Sequence, residues 1–284
     1  MSQPSFTGQF QDETLADVGA TPARVRVRTV ALPVEHGGWG LSLEPVALGL
    51  LVAPSVAGVF LAIATMGAFL ARHPFKLIVA DRRRGRRFPR TAVAERFALL
   101  YTVIAITGLL AATATAVDDT FLLPLLAASP FAAVQLAFDG TGRSRALAPE
   151  LAGSFAMAAV STSIALADGW PLPTALALWA VLGARVVPTI LYVRARLKQL
   201  HGETPAATPV VVTHTAALIL VLLLAWLKVA PLLAALALLV LLVRAVTGFF
   251  IPQPSVTAKQ IGVRELGYGV ITVLAVVAGR LLGW

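Results

Sequence analysis

Apolar stretches of about 20 residues recur along almost the whole chain, each long enough to cross the roughly 30 Å hydrocarbon layer of a bilayer. They fall at 39–56, 57–79, 95–117, 121–138, 150–168, 172–193, 210–227, 230–250 and 266–283. Runs of that length leave few folds open. In lipid the backbone must satisfy its own hydrogen bonds, which only helices and closed barrels achieve. These runs are too long for barrel strands and lack period-two alternation. The chain is therefore predicted to be all-α, a polytopic transmembrane helical bundle of about nine spans. The least marked break lies between the first two, at Ala53-Pro54-Ser55 and Gly58. Composition agrees, with 58% hydrophobic and only 13% charged residues, where soluble domains carry about 25% charged. No cysteine is present, which excludes disulfides, iron–sulfur clusters and thiolate metal sites.

The formal net charge of +9 is not spread evenly. One set of loops holds Arg24/Arg26/Arg28, the run Asp81 to Arg87, Arg143/Arg145, Arg194/Arg196/Lys198 and Lys259/Arg264. The alternate loops, 53–57, 117–120, 168–173 and 228–230, hold almost no cations. The positive-inside rule then predicts a cytoplasmic amino terminus and an external carboxyl terminus, in a plasma membrane. It also assigns the positive charge to membrane lipids as partners rather than to nucleic acid. Residues 1–30 are polar and aperiodic and are expected to form a disordered cytoplasmic tail, without the basic-then-apolar pattern of a signal peptide. Residues 31–284 are expected to form a single membrane domain, because the connections are short.

Polar groups inside apolar spans are costly and so mark candidate sites. Residues 33–40 read Pro-Val-Glu-His-Gly-Gly-Trp-Gly. Glu35 and His36 are candidate catalytic residues, placed to contact a ligand, proton or metal; the other reading is an interfacial anchor with Trp39 in the aromatic belt. Glu44 precedes Pro45, so a firm helix is expected only after that proline. Arg185 lies inside a span and shares a helical face with Thr189, Tyr192 and Arg196. Its partner could be Glu44, Glu150, Glu265 or an anionic substrate. Arg244 has the same character, with snorkelling toward the interface as its alternative. Glu95, Glu150 and Glu265 each open an apolar segment, where the helix dipole favours an acid. Arg72, His73 and Lys76 lie nearer the membrane than the arginine run after them, and are candidates to grip a phosphate or carboxylate head. His214 stands alone in its span and reads best as a helix–helix hydrogen bond. No metal-binding spacing surrounds it.

The sequence holds no Walker A motif, no His-Glu-x-x-His, no Gly-x-Ser-x-Gly and no pair of aspartate-rich motifs, so it names no cofactor. Pro33 to Gly40, with Pro45 and Gly49 after it, resembles the opening signature of YwiC-like membrane proteins. The resemblance continues through Ala71-Arg72-His73-Pro74 and Ile261-Gly262-Val263-Arg264-Glu265. It implies a bacterial integral membrane protein and supplies no mechanism. A looser similarity, in topology, is to UbiA-type prenyltransferases. There, loops after spans two and six carry aspartates that hold magnesium and a prenyl diphosphate. Here the corresponding stretches offer Asp81 alone among many cations, which argues against magnesium-dependent prenyl transfer. The expectation is a cytoplasm-facing polar cavity that binds an anionic, lipid-like molecule of isoprenoid or quinone type. Glu44, Arg72, His73, Lys76, Arg185, Tyr192, Arg244 and Glu265 would contact it. A divergent UbiA-like enzyme without the aspartate motifs is one form of this. A small-molecule or ion transporter and a non-catalytic assembly protein are the alternatives.

Overall fold

The computed structural model describes residues 26–33, 36–250 and 256–283, with the backbone alone at 36–38. Among them are ten α-helices and no strand. These are α1 (Val27–Ala31), α2 (His36–Val52), α3 (Val56–Arg83), α4 (Pro89–Thr115), α5 (Leu122–Gly140), α6 (Leu147–Ala167), α7 (Leu172–Leu200), α8 (Thr208–Trp226), α9 (Leu232–Phe250) and α10 (Ala258–Leu281). The eight helices from α3 to α10 are long and apolar enough to cross a membrane, α5 together with the 3-10 turn Asp119–Phe121 before it. A shorter apolar stretch, Trp39–Val52 in α2, adds a ninth segment. The nine apolar segments read from the sequence thus correspond to nine helices.

Three details differ from the sequence expectation. Residues 27–31, expected up to Val30 to belong to a disordered tail, form α1. Val30 is buried there against Ile78, Ala94 and Ala98, while Arg26 and Arg28 stay exposed. Residues 1–25 of that tail lie outside the described residues. Secondly, α2 runs through Pro45 instead of firming after it. Proline removes one backbone donor, a loss that packing against neighbouring helices offsets in membrane proteins; α2 is packed on α6 and α10. Thirdly, α4 and α10 begin well before Glu95 and Glu265, so neither acid sits in the first turn. Glu150 does.

The centre of the bundle is α6 and α7. Ile164, Leu178, Val181 and Leu182 are nearly inaccessible, and Trp179 Nε1 of α7 donates to the Phe155 carbonyl of α6 at 2.9 Å. Thr162 Oγ1 ties the same two helices through the Ala175 carbonyl at 2.8 Å. In contrast, α4, α5, α8 and α10 expose rows of large apolar residues, such as Leu99, Leu110, Leu126, Ile219 and Leu274. That surface suits acyl chains and would be untenable in water. Small residues set the closest contacts, as helix pairs in lipid require. A Cβ on Gly67 of α3 would stand 2.8 Å from the Ala105 amide nitrogen of α4, and one on Gly108 of α4 would stand 2.8 Å from that of Ala64. The two helices therefore touch backbone to backbone at two reciprocal points.

Candidate functional site

Five side chains from five helices meet in one buried polar network. Glu44 comes from α2, Arg185 from α7, His214 from α8, Arg244 from α9 and Glu265 from α10. Arg185 Nη1 lies 2.8 Å from Glu44 Oε2, and Arg185 Nη2 donates to the Glu265 backbone carbonyl at 3.0 Å. The Glu265 carboxylate pairs with Arg244 Nη1. Arg244 Nη2 stands 3.2 Å from His214 Nε2. His214 Nδ1 is 2.8 Å from the Val210 carbonyl, so the imidazole donates to that carbonyl and accepts from Arg244. That arrangement is the neutral ring.

Two aromatic rings line the arginine. The Arg244 guanidinium carbon lies 4.1 Å from the Tyr192 ring centroid and 5.0 Å from that of Tyr268. A desolvated guanidinium against aromatic faces is held by their quadrupoles as well as by its carboxylate. Gly269 makes room for the cluster, since a Cβ there would fall 2.8 Å from Arg185 Nη2 and 2.9 Å from Glu44 Oε2.

Burial makes this network expensive to hold and sensitive to loss. Arg185 is 3% exposed, Glu44 and Arg244 9%, and His214 fully covered. Unpaired charge at such sites costs several kcal/mol. Pairing is nonetheless incomplete. Glu44 Oε1, Thr189 Oγ1, Arg185 Nε and Arg244 Nε have no hydrogen-bond partner, and Arg185 Nη1 faces Glu44 off the hydrogen-bond axis. Buried polar atoms are normally satisfied, so such a cluster of orphans marks a place for an additional polar group.

The candidate residues near the basic loops fall elsewhere. Arg72 forms a bidentate pair with Asp139 of α5, Nε to Oδ2 at 2.5 Å and Nη2 to Oδ1 at 2.9 Å. His73 Nε2 stands 3.0 Å from the Thr29 carbonyl of α1. Lys76 Nζ donates to Ser144 Oγ at 2.7 Å. These three fasten the end of α3 to α1, α5 and the α5–α6 turn. Glu35 and the His36 side chain lie outside the described residues. Asp81 is completely buried and engaged by Arg90 at 2.6 Å and by the Thr91 hydroxyl at 2.8 Å, which leaves it fixing the α3–α4 turn. Among the described residues no group of three or more His, Asp or Glu could hold a metal ion. At the opposite end, the hydroxyl and amide of Thr120 both donate to Asp118 and hold its carboxyl below the usual range.

Sequence reasoning missed Asp139 and Gly269. Asp139 carried a signal, an acid directly after the apolar segment 121–138, and its partner is Arg72 of α3. Tyr268 shares a helical face with Glu265 and Thr272 by its spacing, but its contact with Arg244 depends on the position of α9.

A helical bundle with lipid-facing walls and a charged network inside it defines a polytopic membrane protein. Residues 32–165 match the family model described as YwiC-like protein. The opening signature and the Ala71–Pro74 segment fall within the matched stretch, so this part of the chain is similar to that family; the Ile261–Glu265 segment lies beyond it. No curated protein matches the chain, and no solved structure matches it.

Proposed function

We propose that this protein binds an anionic, lipid-like molecule of isoprenoid or quinone type, reached from the cytoplasmic side of a bacterial plasma membrane. Glu44, Arg185, Tyr192, Arg244 and Glu265 would form its polar contact. The supporting observation is the concentration of unbonded polar atoms on Glu44, Thr189, Arg185 and Arg244 inside an otherwise apolar bundle. The orientation rests on the basic loops, which are taken to face the cytoplasm.

The charge of the network constrains how such a ligand enters. Two arginines stand against two glutamates, so the network has no excess positive charge to offer. An anionic head must take over the place of one carboxylate. Glu44 is the one to yield, because one of its oxygens bonds nothing while Glu265 is fixed between Arg244 and its own backbone contact to Arg185. Uptake of a proton by Glu44 would keep the site neutral.

Transport is the second reading, and one observation favours it. Glu44, Arg185, Glu265, Arg244 and His214 form an unbroken chain of polar contacts from α2 to α8, as a path for ions or protons requires. The two readings separate in one pair of assays. A mass-spectrometric inventory of molecules retained by the gently purified protein should contain a specific anionic lipid that the Arg185→Ala/Arg244→Ala variant lacks. Solute or proton flux in proteoliposomes, lost in Glu44→Gln, with no retained lipid, would favour transport instead. Neither result would leave the network as scaffolding for an assembly protein.

A further inference from the structure

Arg280 lies in the last turn of α10, at the end of the bundle away from the basic loops. It stands about 22 Å along the helix from Glu265, at 1.5 Å per residue, and so belongs to no part of the buried network. Its guanidinium carbon lies 4.7 Å from the ring centroid of Trp170, in the turn between α6 and α7. The start of α9 presses on the same stretch, since a Cβ on Gly279 would fall 2.5 Å from Pro231 Cβ. The Arg280 side chain is half-buried. Its Nε and Nη2 are enclosed and have no hydrogen-bond partner among the described residues, and no carboxylate among them pairs with it. A snorkelling arginine would turn these donors out to water; here they are covered. At the same end, Asp118 is already held by Thr120.

The edge left without a partner is a specific one. Nε and Nη2 form the side of a guanidinium that takes two oxygens at once. This chain uses that edge twice. Arg72 grips both carboxylate oxygens of Asp139 with it, and Arg90 grips both of Asp81. Arg280 presents the same fork beside a tryptophan face, with no acid before it. A guanidinium enclosed in this way is costly unless an anion meets it. We propose that this fork binds the phosphate of a phospholipid in the leaflet opposite the basic loops. Two observations select a lipid over a soluble anion. Arg280 stands one residue from the end of a membrane-spanning helix, at the level where the hydrocarbon gives way to headgroups. Its neighbours Leu281 and Leu282, and Leu232 at the start of α9, are exposed and apolar, a surface for acyl chains. The site is separate from the buried network, and its failure would not touch the reading of that network.

The test is native mass spectrometry of the full chain in detergent, titrated with dioleoyl phosphatidylglycerol or with dioleoylglycerol, which has the same chains and no phosphate. The variants are Arg280→Gln, which removes the fork, and Arg280→Lys, which keeps the charge as a point without the fork. The control is Arg86→Gln, which removes one exposed charge from the α3–α4 turn. The wild type should prefer phosphatidylglycerol. Arg280→Gln should weaken that binding about tenfold, the low end for losing a pair of charge-assisted hydrogen bonds. Arg280→Lys should recover less than half of the loss, and the control should change binding by about twofold or less. Losses as large in the control as in Arg280→Gln would overturn the proposal, as would wild-type binding by either Arg280 variant. Displacement of phosphatidylglycerol by millimolar inorganic phosphate would assign the fork to a soluble anion and overturn the lipid reading. Thermal unfolding supplies a second measure. Without lipid, Arg280→Gln should unfold no earlier than the wild type, because no protein acceptor is lost. Phosphatidylglycerol should then raise the unfolding temperature of the wild type and not that of the variant. Early unfolding of lipid-free Arg280→Gln, with an undiminished lipid effect, would make Arg280 a fastening of α10 to Trp170 and overturn the proposal.

Discussion

Arg185 on α7 and Glu44 on α2 meet at 2.8 Å inside the bundle, and the bare backbone of Gly269 on α10 gives them the space to do so. Three helices that are distant in sequence are tied at that point. Removing one partner leaves the other charge buried and alone. Arg185→Met is therefore expected to cost about 3–5 kcal/mol. Adding Glu44→Leu should recover most of that loss, because an apolar pair needs no compensation. Reversible denaturation in mixed micelles measures both, and equal or additive losses would count against a coupled pair.

Gly269 gives a second test on the same helix. A methyl at this position presses on Arg185 and Glu44 and should destabilise the protein by about 1–3 kcal/mol. Gly267 has open space around its Cβ position. There Gly267→Ala should be neutral or stabilise by about 0.5–1 kcal/mol through helix propensity. Thermal unfolding of the two variants should move in different directions.

The α3–α4 contact depends on Gly67 and Gly108 meeting backbone rather than flexible side chains. Neither neighbour can give way without the helices separating. Gly67→Leu or Gly108→Leu should lower thermal stability by about 3 kcal/mol or more, whereas Gly262→Leu, with nothing nearby, should not. Unchanged unfolding in Gly67→Leu would mean that the two helices do not touch as described.

Asp81 holds the arginine-rich turn by accepting from Arg90 and Thr91. Asp81→Ala leaves these donors unpaired, at a cost of about 1–3 kcal/mol. The turn itself should loosen first. Limited trypsin digestion should cut after Arg82–Arg87 several times faster in the variant, and an unaltered rate would remove Asp81 from this role.

Most of the architecture was legible because length and hydrophobicity alone decide what can span a bilayer. The nine apolar segments match nine helices within a few residues for most ends. The ends that moved furthest were those of α4, α7 and α10, where the helix continues into polar sequence that hydropathy does not reveal. The members of the buried network were legible one by one. Glu44, Arg185, Arg244 and Glu265 are conspicuous as charges in or beside apolar runs, and Tyr192 follows from its spacing to Arg185. Which of them pair was not legible, since the pairs join helices whose relative positions no local pattern encodes. Glu44 rather than Glu150 meets Arg185, and Glu150 binds Arg194. Arg72 and Lys76 shared the chemistry expected of an anion site but sit at the far end of α3, facing α5 and its following turn.

The central claim is that the buried network is a binding site and not only a fastening. The most direct measurement compares the retained small molecules and lipids of the wild type with those of Glu44→Gln/Arg185→Gln, by untargeted mass spectrometry. This double variant keeps the site neutral, so the fold should survive while the charged contacts vanish. The account predicts that a specific anionic lipid-like molecule accompanies the wild type and is lost from the folded variant. Identical inventories from two folded proteins would contradict it.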